Sequence, residues 1–331
     1  LLKWIQSKPF NMKTTFNSLL LAACSVAVIG FSSCKKDDDV VATPAANTIT
    51  DVVVNTPTFS VLKDAVVKAG LDGTLKGAGP FTVFAPDNAA FAASGINAGT
   101  VSALTPDQLK ALLLYHTLGD KVLSGNVPAG PNAKVITAGG DSVFVTRKAS
   151  GVFVNGIPVV KADIGADNGV IHMLEKALNK PSGNIVATAQ TPGSGLDSLV
   201  KAIVRANNAP GGDPNLISTL SSATITVFAP TNAAFTQLLA ALGTNDINNI
   251  PVGTLLAVLR YHVVGGRAFS SDLANGSLPM LAGGNTTVSL TAGGGPSLTG
   301  NGNGGNRSNI VATNIMCRNG VVHVIDRVLL P

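Results

Sequence analysis

The sequence predicts an α+β protein made of two copies of one domain, because three of its segments occur twice in the same order. The matching pairs are "PFTVFAPDNAAF" (80–91) with "ITVFAPTNAAF" (225–235), "LKALLLYHTL" (109–118) with "LLAVLRYHVV" (255–264), and "NGVIHMLEKALNKP" (168–181) with "NGVVHVIDRVLLP" (319–331). Repetition of several motifs in constant order indicates a duplicated unit. All four histidines and both tyrosines of the chain lie in these segments, so each copy needs them for the same reason.

The first matched segment predicts a strand, a turn and a short helix. "FTVFA" is rich in β-branched and aromatic residues, and a proline ends the run. Asp87 and Thr231 are suitable N-caps for helices that carry Phe91 and Phe235.

The second segment predicts an amphipathic helix that ends at a histidine. Thr105 is the expected N-cap, and Gln108 completes a capping box. Apolar residues then recur at helical spacing, so both terminal histidines are predicted to face a core. The two stripes are Leu109, Leu112, Leu113 and His116, and Leu255, Val258, Leu259 and His262.

The third segment predicts a closing strand that is apolar on both faces and therefore buried on both sides. Between it and the helix come the short runs "DSVFV", "GVFVN" and "IPVVKADI", separated by Gly and Asn turns. These runs predict a hairpin-rich sheet. Each copy is thus expected to have helices early and a β-rich second half.

The N-terminal region is predicted to be an export signal. From Met12 the chain has a basic start, an apolar run too short to span a bilayer, and then small residues. Residues 1–33 are therefore assigned to an upstream segment and signal peptide. "FSSC" resembles a bacterial lipobox, which implies cleavage before Cys34 and lipidation of its thiol. The alternative is ordinary secretion with a free Cys34.

Residues 34–46 are predicted to be the lipidated cysteine and a flexible tether. "KKDDD" at 35–39 resembles the surface-export signal of Bacteroidetes lipoproteins, and the alternative is a solvated spacer. Because several acyl chains anchor a protein stably, we expect lipid anchoring at the outer membrane, exposed on the cell surface.

Charge and cysteine content argue against a nucleic-acid-binding protein and against a domain stabilised by disulfides. The net charge is +5, but Lys3, Lys8 and Lys13 precede the predicted cleavage site, and the other basic residues are scattered. No nucleic-acid partner is expected. Cys317 is the only cysteine left for the folded part, so no intrachain disulfide is predicted. A buried inert thiol is predicted there and not a reactive one, because no activating base is evident.

The three motifs resemble those of the fasciclin I (FAS1, beta-Ig-H3) family over about 47–181 and 183–331. The resemblance implies two tandem FAS1 domains, each a β-sandwich or wedge of about seven strands flanked by helices. It also implies adhesion or extracellular interaction without catalysis or cofactors. The Tyr-His region proposed to contact partners in animal members corresponds here to Tyr115, His116, Tyr261 and His262.

Roles other than packing fit these residues and the nearby glycine-rich segment less well. The histidines offer too few neighbouring ligands for a metal site, since zinc needs three or four. "GNGNGG" at 300–305 matches a dinucleotide-binding fingerprint, but no helix pattern follows it. A long glycine hairpin loop is predicted instead, over the run "TAGGGPSLTGNGNGGNRSN" at 291–309. No catalytic motif was found.

The sequence therefore predicts a surface-anchored, non-enzymatic adhesion lipoprotein with two FAS1 domains. Its expected partners are the membrane, through Cys34, and an extracellular protein or polysaccharide. The alternative is a glycan-binding accessory of polysaccharide uptake. Since little linker follows Pro181, the two copies are expected to pack in a fixed orientation.

Overall fold

The computed structural model describes residues 47–290 and 295–331. The predicted signal segment, Cys34 and its tether lie outside the described residues. Among those that are described, no helix has the length and apolar character needed to cross a membrane.

The first copy has three helices before its first strand and three more between its first and second strands, and five further strands follow in succession. The helices are α1 Ile49–Asn55, α2 Ser60–Lys68, α3 Asp72–Lys76, α4 Asn88–Ala93, α5 Ala98–Ala103 and α6 Pro106–Tyr115. The strands are β1 Phe81–Pro86, β2 Thr117–Leu118, β3 Ala133–Ile136, β4 Ser142–Lys148, β5 Gly151–Val154, β6 Ile157–Ala166 and β7 Gly169–Leu174.

The second copy repeats this plan in its described residues. Its helices are α7 Ile185–Ala189, α8 Asp197–Asn208, α9 Leu216–Ser222, α10 Asn232–Ala241 and α11 Val252–Arg260. Its strands are β8 Ile225–Pro230, β9 Val263–Gly265, β10 Gly276–Pro279, β11 Asn285–Ser289, β12 Ser297–Gly300, β13 Ser308–Cys317 and β14 Gly320–Ile325. The predicted α+β class and the seven strands of each copy are confirmed.

Each copy forms one seven-stranded sheet in which the last strand lies beside the first. The orders are β2-β1-β7-β6-β5-β4-β3 and β10-β11-β12-β13-β14-β8-β9. β1 pairs with β7 in parallel, and β8 pairs with β14 in parallel, whereas the other neighbours are antiparallel. The first and last strands of each copy are therefore neighbours near one edge of its sheet, where only the two- or three-residue strand β2 or β9 lies outside them.

The sheet bends over itself at β6, which is the fourth strand in the order across the sheet and has ten residues. β6 pairs with β5 near Ile157 and with β7 from Val159 onward, and two register shifts interrupt the second ladder. Such bulges bend a strand and increase its twist. Phe84 from β1 consequently shares a hydrophobic cluster with Val143 and Val154 from β4 and β5.

The helices cover the opposite face of the central strands. Val83 and Ala85 of β1 pack in a cluster with residues of α1, α2 and α6, while Phe84 points to the other side. This alternation follows from the two-residue period of a strand. It explains why the matched motifs are apolar at nearly every position.

The predicted helix caps are confirmed. Asp87 accepts a hydrogen bond of 2.8 Å from the N–H of Ala90, and Thr231 caps α10 in the same way. Thr105 and Gln108 form the predicted capping box.

The prediction of one long glycine loop near 300–305 is partly wrong. Strand β12 lies inside the predicted loop and separates two connections, of which the first includes residues 291–294, outside the described part. The "GNGNGG" segment begins in β12 and continues as a short 3-10 turn into β13. No α-helix follows it, which agrees with the rejection of a dinucleotide site.

Candidate functional site

Helix α6 is followed by His116, and both ring nitrogens of this side chain are used inside the protein. Nδ1 lies 2.8 Å from the carbonyl oxygen of Leu112, and Nε2 lies 2.8 Å from the backbone nitrogen of Leu178. Since a backbone N–H only donates, Nε2 is the acceptor and the ring proton is on Nδ1. His116 is buried and ties α6 to the segment that follows β7.

His262 makes the same two contacts in the second copy. Its Nδ1 lies 2.6 Å from the carbonyl oxygen of Val258, and its Nε2 accepts a hydrogen bond of 2.9 Å from the N–H of Leu329. Burial lowers the pKa of both His116 and His262 to about 4, and the hydrogen bonds to the carbonyls oppose this shift only in part. Both imidazoles are therefore neutral near pH 7.

The tyrosines next to these histidines are also buried. The Tyr115 hydroxyl donates to the carbonyl of Ser142 at 3.2 Å and accepts from the Asn155 side chain at 3.0 Å. The Tyr261 hydroxyl donates to the carbonyl of Asn285 at 2.5 Å. Burial raises the pKa of Tyr115 to about 12. The four predicted contact residues thus lie in the interior, at matching places in the two copies.

The second pair of histidines lies on the closing strands. Nε2 of His172 is 2.8 Å from the carbonyl of Val122, and Nε2 of His323 is 2.9 Å from that of Ala268. Nδ1 of His172 accepts from the N–H of Asp163, but Nδ1 of His323 has no hydrogen-bond partner among the described residues. Each histidine joins its closing strand to the loop that follows β2 or β9.

Within the described ranges, no three His, Cys, Asp or Glu side chains lie close enough together to hold a metal ion. Cys317 is buried with its Sγ 3.3 Å from the hydroxyl of Thr188. Burial raises the pKa of this thiol, which disfavours the nucleophilic thiolate. This geometry agrees with the inert alternative for Cys317.

Sequence reasoning missed a matched pair of asparagines, of which Asn168 is buried and Asn319 is partly buried. Oδ1 of Asn168 accepts a hydrogen bond of 2.9 Å from the N–H of Ile49, and its Nδ2 donates to the carbonyl of Leu75. Asn319 makes the corresponding bond to Ile185 in the second copy. The signal was present, because "NG" opens the third matched segment in both copies. These side chains fix the first helix of each copy to the start of its closing strand.

The two copies contact each other directly through an aromatic pair. Phe144 of β4 packs against Phe269 of the second copy, with ring centroids 6.1 Å apart. The guanidinium of Arg267 lies 4.5 Å from the centre of the Phe144 ring and donates to the carbonyls of Cys317 and Gly320. Arg267 therefore joins the closing hairpin of one copy to the sheet of the other.

Polar contacts surround this pair. Asp272 of the second copy lies 2.6 Å from the ammonium of Lys148 and 2.7 Å from the side-chain nitrogen of Asn132, both in the first copy. Lys148 also donates to the carbonyl of Ser271. The side chains of this ion pair are only 30% and 20% exposed, so salt screens their attraction less than that of a fully exposed pair.

A cleft of about 750 Å³ opens between the copies beside these contacts. Lys134, Arg267 and Arg318 line it, together with Asp141, which is already paired with Lys180 at 2.9 Å. The cleft therefore carries a net positive charge. Domain interfaces are common places for ligand pockets, and this volume is in the usual range. Sequence patterns could not reveal it, because its residues come from loops and edges of two separate copies.

Comparisons with known proteins agree with the duplicated motifs. The fasciclin domain family matches residues 57–180 and 211–331. Protein sll1483 of Synechocystis is 36% identical over 174 residues, which are 51% of this chain and 94% of that protein. The transforming growth factor-beta-induced protein ig-h3 of Sus scrofa is 38% identical over 145 residues, 44% of this chain and 21% of that protein.

Two further similarities concern a cell-surface protein and a solved structure. Cell surface glycolipoprotein MPB83 of Mycobacterium bovis is 36% identical over 146 residues, 44% of this chain and 60% of that protein. A solved FAS1 domain pair from the insect cell adhesion molecule Fasciclin I aligns with 85% of this chain and 94% of its own, at 17% identity and a TM-score of 0.40. Since the two family matches together span well over half of its length, the chain belongs to the fasciclin domain family.

Proposed function

We propose that the chain is a cell-surface adhesion protein that acts by non-covalent contact and not by catalysis. One observation carries this proposal: the repeated histidines and tyrosines are buried and hydrogen-bonded to the backbone. Groups held in this way stabilise a shape and are not available to a substrate. The exposed loops and the cleft between the copies are then the surfaces offered to a partner.

The anchor of this protein is Cys34, lipidated after signal cleavage. The "FSSC" segment and the apolar run before it support this assignment, and a lipoprotein is also among the similar proteins. The acidic run after Cys34 favours export to the outer surface of the outer membrane. The tether then lifts two FAS1 domains away from the lipid.

The pairing of the domains matters for adhesion. Two copies that engage a partner together gain avidity from weak individual contacts, provided that their geometry permits both to bind. The inter-copy contacts of Phe144, Lys148 and Asp272 support a fixed spacing. The partner is an extracellular protein or polysaccharide.

Deletion of the chain from its host, followed by complementation, tests the adhesion proposal. We expect the deletion strain to lose cell aggregation or biofilm, and the wild-type chain to restore it. A Cys34→Ser variant should be released from the cells and should fail to restore adhesion. Cys24→Ser is the matched control, because it changes a cysteine inside the signal segment and leaves the anchor intact. Unchanged aggregation and biofilm formation in the deletion strain would contradict the adhesion proposal.

The charged cleft favours a second candidate, which is binding of an acidic polysaccharide during glycan uptake. We expect the purified protein to bind uronate-bearing glycans more tightly than neutral ones on an array. Arg318→Ala and Lys134→Ala should each weaken this binding, whereas Lys110→Ala, an exposed change outside the cleft, should not. Absence of any acidic glycan hit, or equal loss in the Lys110 control, would argue against this candidate.

A further inference from the structure

The second copy contains an apolar cavity of about 410 Å³ between helices α9 and α11 and strand β8. Its walls are formed mainly by buried aliphatic side chains, which include Leu199, Leu216, Leu220, Ile225, Val227 and Val263. Protein interiors are close-packed, and an empty space of this size forfeits contact energy. An apolar cavity that reaches the surface is therefore suited to an apolar ligand.

The first copy provides an internal comparison for this cavity. Alignment of the two "TVFAP" strands places Phe81 where the second copy has Ile225, and alignment of the two "YH" pairs places Leu114 where it has Arg260. Phe81 and Leu114 both pack against the core of the first copy. The second copy thus has a smaller apolar side chain at the first position and a charged one at the second.

Arg260 is turned instead toward the mouth of the cavity. Its guanidinium donates to the carboxylate of Asp213 at 2.8 Å. Asp213 lies in the connection 209–215 between α8 and α9, whereas only 69–71 separate α2 from α3. The second copy thus has Arg260 at the position of Leu114 and a longer connection that carries Asp213. Together these two features place a charged pair at the rim of an apolar opening.

A leucine completes the mouth. The N–H of Leu281 donates to the carbonyl of Val263, as the N–H of Ala138 donates to that of Thr117 in the first copy. Leu281 therefore occupies the place of Ala138. It lines the cavity and yet is 60% exposed. An occupant of the cavity would remove this side chain from water.

We propose that this cavity binds the alkyl chain of a fatty acid, with the carboxylate at Arg260. A guanidinium has five N–H donors, and among the described residues Arg260 uses one of its terminal nitrogens on Asp213. The remaining donors suit a second carboxylate, which guanidinium groups bind well. This site does not depend on the adhesion role.

The test uses the purified protein and cis-parinaric acid, whose fluorescence rises when its chain leaves water. We expect saturable one-to-one binding that decanoate displaces. Ile225→Phe and Arg260→Leu introduce the side chains that the first copy already accommodates, so each should fill the cavity without unfolding the protein. Both should weaken binding at least about tenfold, the equivalent of roughly 1.4 kcal/mol. A melting temperature equal to or above that of the wild type confirms that the fold is intact.

Val204→Phe is the matched control, because Val204 lies on the outer side of α8 and is not among the residues that line the cavity. It should leave the binding of cis-parinaric acid unchanged. Absence of saturable binding to the wild type, or equal binding by Ile225→Phe and the wild type, would overturn the proposal.

The head group is tested with Arg260→Gln, which removes the charge and leaves a shorter, neutral side chain that can still donate a hydrogen bond. Loss of a charged hydrogen bond should weaken decanoate about tenfold and leave decanol nearly unchanged. An equal effect on the two ligands would contradict the assignment of Arg260 to the carboxylate.

Discussion

The histidines of this protein act as neutral hydrogen-bond links in its interior. His116 and His262 each donate from Nδ1 to a carbonyl of their own helix and accept at Nε2 from the segment that ends the domain. An imidazole is suited to this task, because its neutral form has one donor and one acceptor on opposite sides of a rigid ring. The histidines that suggest a binding site in the sequence therefore bind the last segment of each domain to the helix before them.

Removal of either imidazole should destabilise the fold. His116→Ala and His262→Ala each leave a buried N–H and a buried carbonyl without their partner, at a cost of about 3 kcal/mol in the free energy of unfolding. Urea denaturation measures this change. Val67→Ala, at an exposed position, should stay within about 0.5 kcal/mol of the wild type. A His116→Ala protein that melts normally but no longer supports adhesion would assign the residue to recognition instead.

The same histidines make stability depend on pH. Their pKa is about 4 in the folded protein against an ordinary value of 6.5, so the unfolded chain binds more protons in this interval. Stability is therefore fully present above pH 6.5 and falls as the pH drops toward 4. When the pH is lowered from about 7.5 to about 5, each of these two histidines should reduce the free energy of unfolding by about 2 kcal/mol. Urea midpoints at the two pH values check this, and equal midpoints would refute it.

At the scale of elements, the closing strand decides how each domain is assembled. β7 pairs with β1 in parallel and lies between β1 and β6. The last strand of the domain therefore joins its first strand to the rest of the sheet. Gly169 and Gly320 open these strands at points where a Cβ would overlap the carbonyl oxygens of Phe81 and Ile225. The "NG" pair therefore combines a hydrogen-bonding side chain with a residue that permits close backbone approach.

Gly320→Ala should show this constraint. The added methyl group has to displace the backbone of β8, and overpacking of this kind costs about 2 kcal/mol or more. Gly253→Ala in α11 is the matched control, because its Cβ would meet no atom and alanine favours a helix by about 1 kcal/mol. Thermal denaturation should therefore shift in opposite directions for the two variants. Equal shifts would contradict the proposed contact.

At the scale of the whole molecule, the two domains are joined by a mixed interface. The Phe144–Phe269 pair excludes water, and Asp272 receives hydrogen bonds from two side chains of the first copy. Packing of Gly156 against Phe269 leaves no space for a larger residue at that position. The interface lies beside the cationic cleft, so the shape of the cleft depends on it.

A double variant, Asn132→Ala with Lys148→Ala, should loosen this interface. It leaves the carboxylate of Asp272 without its partners from the first copy, which costs about 2 kcal/mol or more. We expect ¹⁵N relaxation to give one rotational correlation time for both domains in the wild type and two shorter ones in the variant. Lys110→Ala serves as the control. Two correlation times in the wild type would disprove a fixed orientation.

Much of the local structure followed from sequence pattern. The strand at "FTVFA", the caps at Asp87, Thr105 and Thr231 and the helix before each "YH" are present as predicted. These features depend on neighbouring residues, whose spacing along the chain is visible in the sequence. β12 was missed because a glycine-rich run has weak strand propensity and acquires its pairing from distant strands.

The sequence by itself determined the duplication, the family, the α+β class and the interior position of the histidine that follows each helix, because repetition and periodicity are properties of the chain alone. Only the tertiary structure decided the parallel pairing of the first and last strands, the partners of each imidazole, the charged cleft between the copies and the cavity of the second copy. These features join residues far apart in the sequence, such as Phe144 with Phe269 or Ile225 with Arg260. Packing in three dimensions selects such contacts, and no local pattern encodes them.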